Sequence, residues 1–159
     1  MTVSQLIVCN VFTICAFFIV VERTVASTDT IHECMERAGQ KYELDPKLLY
    51  SIAVVESSLN PNAVRKGESD EDVGLMQINS FWYPKLEGYG IKRSDLFEPC
   101  LSAHVGAWIL RHSIDFFGEN WRAVGAYNAG TARNEHREKL RQKYANRVYR
   151  VYRSISNGM

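Results

Sequence analysis

Almost no net charge is left on this chain: 19 Lys and Arg stand against 18 Asp and Glu, +1 in all. A dedicated nucleic-acid binder is usually strongly basic overall, so the balance argues against that class of partner. There is no CxxC pair, and His32, His104, His112 and His136 share no ligand spacing, so neither a metal nor a cofactor is expected. No internal repeat, low-complexity linker or long strand alternation interrupts the sequence. What remains is one domain of 159 residues, 46% hydrophobic and 23% charged, enough chain for one real core.

The charge that is present is unevenly placed. Residues 131–159 hold eight Lys and Arg against two Glu, a basic tail. It reads as a solvated helical face or as a contact with an anionic surface. The opening "MTVSQ" lacks Lys and Arg, yet residues 6–21 are apolar but for Asn10 and Thr13. That run is short for a membrane span and suits the core of a signal peptide. Thr24, Val25 and Ala26 then present small residues for cleavage before Ser27, which gives a leader over 1–26 and a domain over 27–159. An uncleaved anchor is the alternative.

Export changes the meaning of the cysteines. Cys9 and Cys15 leave with the leader, and Cys34 and Cys100 remain. In an oxidising compartment only one intramolecular pairing is open to them; two buried free thiols are the alternative. A bridge closing so long a loop is worth about 4 kcal/mol.

Helix signals follow one another. Residues 28–42 carry an apolar stripe through Ile31, Cys34, Met35 and Ala38. Asp45 with Pro46 starts a second helix, as an N-cap followed by the residue type favoured at the first position. A third begins near Pro99 and ends at Gly118; apolar nearly all round, it should be the central one. Asn120 caps "WRAVGAYNAG", which stops at Gly130, and a last helix over about 134–154 sets Tyr144, Val148 and Tyr152 at four-residue spacing.

The second helix carries a misfit. On a 100° wheel from Leu48, the residues Leu49, Ile52, Val55 and Leu59 form one buried stripe, and Glu56 falls inside it. A carboxyl on an apolar face is costly unless paired, and desolvation raises its pKa. Such a group can hold a proton near neutrality and donate it; a buried ion pair is the structural alternative. Asp70, Glu71 and Asp72 follow in an acidic loop, with Asp72 two residues before Gly74. One apolar and one wet carboxyl are what glycosidic bond cleavage requires. Asp70 and Glu71 read as solvated.

The stretches "LLYSIAVVESSLNPNAV", "DVGLMQINS", "EPCLSAHVGAWIL" and "WRAVGAYNAG" stand in the order and spacing of the soluble lytic transglycosylase family. The chain resembles most its small exported branch, which accompanies type III secretion systems. The resemblance runs from about Cys34 to Tyr152. It implies a mainly α, lysozyme-like single domain of about five to seven helices, with room for a small β-element in the acidic loop. It makes Glu56 the catalytic acid in a Glu-Ser pair with Ser57. It places Met76 and Gln77 in the segment flooring the cleft, and Tyr127 with Asn128 beside the acid. Asp72 stands where this branch often carries a second carboxylate. Ser102 departs from the Asn of much of the wider family.

From this we expect the loop to bring Asp72 to the lip of a cleft. "GLMQIN" should then turn inward as a helix start, aiming the Gln77 amide at sugar groups; a satisfied core Gln is the alternative. Phe81, Trp82 and Tyr83 offer an aromatic face, although most such residues pack the core. The resemblance implies a monomer in the periplasm acting on peptidoglycan glycan strands, with a secretion-system component as a second partner. Two rivals stay open: a lysozyme-type hydrolase using Glu56 and Asp72, and a wall-binding assembly factor without catalysis.

Overall fold

The computed structural model describes residues 30–158; the leader expectation lies outside them. Helix α1 (Ile31–Tyr42) opens on a reciprocal cap, with Thr30 accepting from the Glu33 amide and Glu33 accepting from the Thr30 amide. Helix α2 (Pro46–Ser57) starts as anticipated, Asp45 accepting from the Lys47 amide at 2.8 Å. It ends where Ser58 and Leu59 both turn left-handed, at φ 53° and 64°.

Residues 64–79 form a small antiparallel sheet in the order β1 (Val64–Lys66), β2 (Glu71–Val73) and β3 (Ile78–Asn79). Its register sets Arg65 opposite Asp72, and Asp72 opposite Asn79. The expected helix start at "GLMQIN" is not there. Gly74 at φ 80° and Gln77 at φ 48° bound a tight turn that delivers Ile78 and Asn79 into the sheet. Gly74 suits its place because a Cβ there would meet the Leu96 backbone.

A 3-10 turn over Ser80–Trp82, capped by Asn79, leads into the short helix α3 (Tyr83–Glu87), which the sequence reading had not separated. Helix α4 (Pro99–Phe117), capped by Glu98, is the central one: nine of its residues are buried, including Ala103, Gly106, Ala107 and Leu110. Helix α5 (Trp121–Ala129) is capped by Asn120 and stops at Gly130. Helix α6 (Glu135–Gly158) runs beyond the anticipated end at Ser154 and buries Tyr144 and Val148. It also buries Arg141, whose guanidinium donates to the Gly130 and Ala132 carbonyls and to Glu138. A buried Arg satisfied this way holds the α5–α6 connection shut.

The whole is mainly α and lysozyme-like, with α4 packed on α1 and α5, and α6 lying across α2 and α5. Cys34 of α1 is bonded to Cys100 of α4 across 66 residues. Replacing both cysteines by serine should lower unfolding stability by about 4 kcal/mol, read as an earlier urea midpoint. Coincident midpoints for the variant and the oxidised protein would count against a stabilising role for the bridge.

Candidate active site

Glu56 stands in the last turn of α2 with its side chain only 4% exposed. One carboxyl oxygen accepts from the Tyr144 hydroxyl of α6 at 2.6 Å. The other lies 3.7 Å from the Arg65 guanidinium of β1. Burial raises the pKa of this carboxyl above the ordinary range. The Tyr144 hydrogen bond and the Arg65 charge pull it back, and Asp72 adds a smaller push upward. Tyr144 stacks on Tyr127 of α5 with ring centres 6.4 Å apart and planes 20° from parallel. Burial, then the neighbouring carboxyl of Glu56, hold both phenols well above the usual tyrosine range, so both keep their protons as donors. Tyr127 donates to the Met76 carbonyl at 2.7 Å.

Asp72 belongs to the middle strand, and its side chain is 18% exposed. Its register partners hold it from both sides. Arg65 Nε donates to Oδ2 at 3.0 Å, and Asn79 Nδ2 donates to Oδ1 at 2.9 Å. Strand alternation sends the next side chain to the opposite face. Glu71 therefore leaves the cleft and takes a two-pronged bond from Arg93 at 2.6 and 2.8 Å, plus the Tyr83 hydroxyl. It is partnered rather than solvated. Asp70 turns back to Asn79 at 3.2 Å and lines the cleft.

These groups surround a cleft of about 210 Å³ lined by Glu56, Asp72, Gln77, Tyr127 and Asn128 among others. It shares Trp82, Ile109, Tyr127 and Asn128 with a larger groove of about 720 Å³. The structure thus brings Glu56, Asp72, Tyr127 and Asn128 to one cavity. The other residues singled out from sequence take different parts. Gln77 lines the cavity, yet both N–H groups of its amide are used on the carbonyls of Ala63 and Gly74, at 3.2 and 3.0 Å. Its left-handed backbone turns the amide onto the turn itself, so it is a satisfied Gln and not a free donor for sugars. Met76 is wholly buried against Gly106 of α4, which removes its side chain from any ligand. Ser57 donates to the Leu75 carbonyl at 2.7 Å and ties α2 to the turn. Ser102, the departure noted above, accepts from the Met76 amide at 3.1 Å and holds the turn from the α4 side. Trp82 lines both cavities, Phe81 is 76% exposed, and Tyr83 is occupied with Glu71.

Tyr144, Arg65 and Asn79 were not foreseen as site residues. Tyr144 was visible as one member of the apolar stripe of α6. Arg65 and Asn79 become visible only once the strand register is known.

A mainly α domain with a buried carboxyl of raised pKa in a cleft beside a small sheet is a scaffold of the lysozyme type. Residues 33–150 match the transglycosylase SLT domain, and the chain belongs to that family. It is 38% identical to invasion protein IagB of Salmonella typhimurium over 141 residues, covering 87% of each chain. Against protein IpgF of Shigella flexneri it is 40% identical over 126 residues, 78% of this chain and 82% of the relative. With X polypeptide of Escherichia coli the figures are 38% over 127 residues, 79% of this chain and 75% of the other.

The raised pKa of Glu56 has a consequence for stability. The native chain holds this proton more tightly than the unfolded chain. Its contribution is therefore complete below the unfolded pKa and is lost as pH rises through the native one. Glu56→Gln keeps an acceptor for Tyr144 and has no proton to lose. Its melting temperature should gain on the wild type as pH increases from about 4 to about 9. Parallel curves across that range would contradict the assignment of a raised pKa.

Proposed function

We propose that this chain is a peptidoglycan lytic transglycosylase. It cuts the β-1,4 bond between N-acetylmuramic acid and N-acetylglucosamine and closes the muramoyl end as a 1,6-anhydro sugar. The observation that carries this reading is the Glu56 carboxyl, its pKa raised by burial, set in a cleft beside Asp72 that shares Trp82, Tyr127 and Asn128 with a larger groove. Glu56 protonates the glycosidic oxygen as the bond from that oxygen to the anomeric carbon breaks. Asp72, across the cleft, stabilises the positive charge that grows on the sugar. Glu56, now a carboxylate, takes the proton from the muramoyl 6-hydroxyl as its oxygen closes on the anomeric carbon. One group thus serves as acid and then base. Tyr144 keeps the carboxyl aimed through both steps.

The leader-like first residues support action in the periplasm, and the basic face of α6 supports a docked position there. The name of the Salmonella relative, an invasion protein, supports local opening of the wall for a secretion apparatus. A second reading is hydrolysis, with water in place of the 6-hydroxyl. The second carboxylate in the same cavity favours it.

Purified protein from Ser27 onward, beside Glu56→Gln, should be incubated with peptidoglycan and the released muropeptides weighed. The expected outcome is anhydro products from the wild type and none from the variant, a loss of at least about a hundredfold, as for removal of a general acid. Reducing-end products would move the reading to hydrolase. Undiminished release by the variant would remove Glu56 from the chemistry.

A further inference from the structure

The site has a third charge that no step above uses. Arg65 lies on the exposed strand β1, and its guanidinium reaches into the cavity between the two carboxyls. It stands 3.0 Å from Asp72 Oδ2 and 3.7 Å from Glu56 Oε2. The placement is written into the sheet, because Arg65 and Asp72 are direct cross-strand partners whose side chains emerge on the same face. The arm therefore needs no special loop geometry to arrive there.

We propose that Arg65 is a positioning residue of the reaction: it pins Asp72 from the neighbouring strand and, with its charge beside Glu56, favours release of the Glu56 proton. The proposal rests on Glu56 being the acid. Arg65 itself makes no bond to the glycosidic oxygen. Its effect is exerted through two neighbours.

The charges around Glu56 come from four elements. From α6, Tyr144 donates a hydrogen bond and Arg147 adds a more distant positive charge. From α5, Tyr127 stacks on Tyr144. From β2, Asp72 opposes ionisation of Glu56, and from β1, Arg65 favours it. Arg65 is the larger of the two arginine influences, and it also compensates the Asp72 charge. Removing Arg65 thus acts twice in the same direction: a stabilising cation is lost, and the Asp72 carboxylate is felt in full. Both changes make Glu56 hold its proton to higher pH. The side chain of Arg65 is 55% exposed, so its replacement leaves the core untouched. Water also screens its charge, which makes the influence a moderate one.

The test follows the Glu56 carboxyl by carbon-13 NMR titration in the wild type, Arg65→Met and Arg65→Lys, with the pH dependence of muropeptide release measured on the same three proteins. The Glu56→Gln spectrum identifies the resonance. In Arg65→Met the Glu56 midpoint should move to higher pH, and the alkaline limb of activity should move with it. Arg65→Lys should return both toward the wild type, because a positive charge is restored. An unmoved or lowered midpoint in folded Arg65→Met would overturn the proposal, even if turnover fell. Uniform loss of turnover with an unchanged pH profile would mean that Arg65 merely braces the hairpin. If the midpoints move as expected while Glu56→Gln remains active, the acid assignment fails and the electrostatic coupling stands by itself. If Glu56→Gln is inactive and the midpoints coincide, only the role of Arg65 fails.

Discussion

A carboxyl placed on the buried side of α2 has to be compensated, and much of the architecture around it follows from that one demand. Solvent cannot supply the hydrogen bond, since the Glu56 side chain is almost inaccessible. The Tyr144 hydroxyl supplies it from 88 residues away. An unsatisfied polar group there would cost about 1–3 kcal/mol. The contact therefore fixes the lateral position of α6 against α2. Tyr127, stacked on Tyr144 and bonded to the Met76 carbonyl, extends the same network to α5 and to the turn before β3. Ser57 and Ser102 hold that turn from two further sides. The Glu56 socket is the place where α2, α5 and α6 meet the turn before β3, and its geometry is set by hydrogen bonds as much as by apolar packing.

The sheet is small, yet it does a different job from the helices. Antiparallel pairing with period 2 sorts the acidic residues of one strand onto two faces. Glu71 goes to Arg93 and Tyr83, bracing the sheet against the loop that precedes α4. Asp72 goes to the cleft, flanked by Arg65 and Asn79 along one rung of the ladder. Two carboxyls reach one cavity from unlike surroundings: Glu56 from a helix end, dry and favouring the neutral form, and Asp72 from a strand, between two donors. Unlike environments are what allow two chemically similar groups to take different roles.

How much of this was legible beforehand depends on how local each signal is. Asp45–Pro46, Asn120 and the stops at Gly118 and Gly130 mark helix ends within a few residues of chain, and the helices stand there. Glu56 could be found because a helical wheel needs only neighbours in sequence to show a charge on an apolar stripe. "GLMQIN" misleads for a physical reason. Its apolar residues suit a helix, but Gly74 and Gln77 take left-handed backbone, a choice decided by the approach of Leu96 and by the amide's own bonds to Ala63 and Gly74. Met76 is likewise decided from outside, by the gap that Gly106 leaves on α4. Arg65, Asn79 and Arg141 carry no local signal at all. Their roles arise from strand register and from carbonyls left open at the α5–α6 connection.

The way Asp72 is held also constrains what it can do under the proposed chemistry. A carboxylate that attacks an anomeric carbon must bring one oxygen to bonding distance with a free lone pair directed at it. Here each Asp72 oxygen already accepts from a neighbour, Oδ1 from Asn79 and Oδ2 from Arg65, and both donors are anchored on flanking strands. Each oxygen keeps a second lone pair, but a covalent bond would draw charge off the carboxylate and weaken hydrogen bonds that, charge-assisted, are worth about 1.5–3 kcal/mol each. Acting through its field requires no such rearrangement, because the charge already stands across the cavity from Glu56. The geometry therefore favours Asp72 as an electrostatic stabiliser and leaves the attack to an incoming hydroxyl. Whether that hydroxyl belongs to the muramoyl residue or to water then depends on how completely the bound strand fills the groove beside Trp82, Tyr127 and Asn128. The acid, its tyrosine and the pinned carboxylate are common to both outcomes. Under the proposed chemistry the proton transfers asked of Glu56 are the same for the muramoyl hydroxyl and for water.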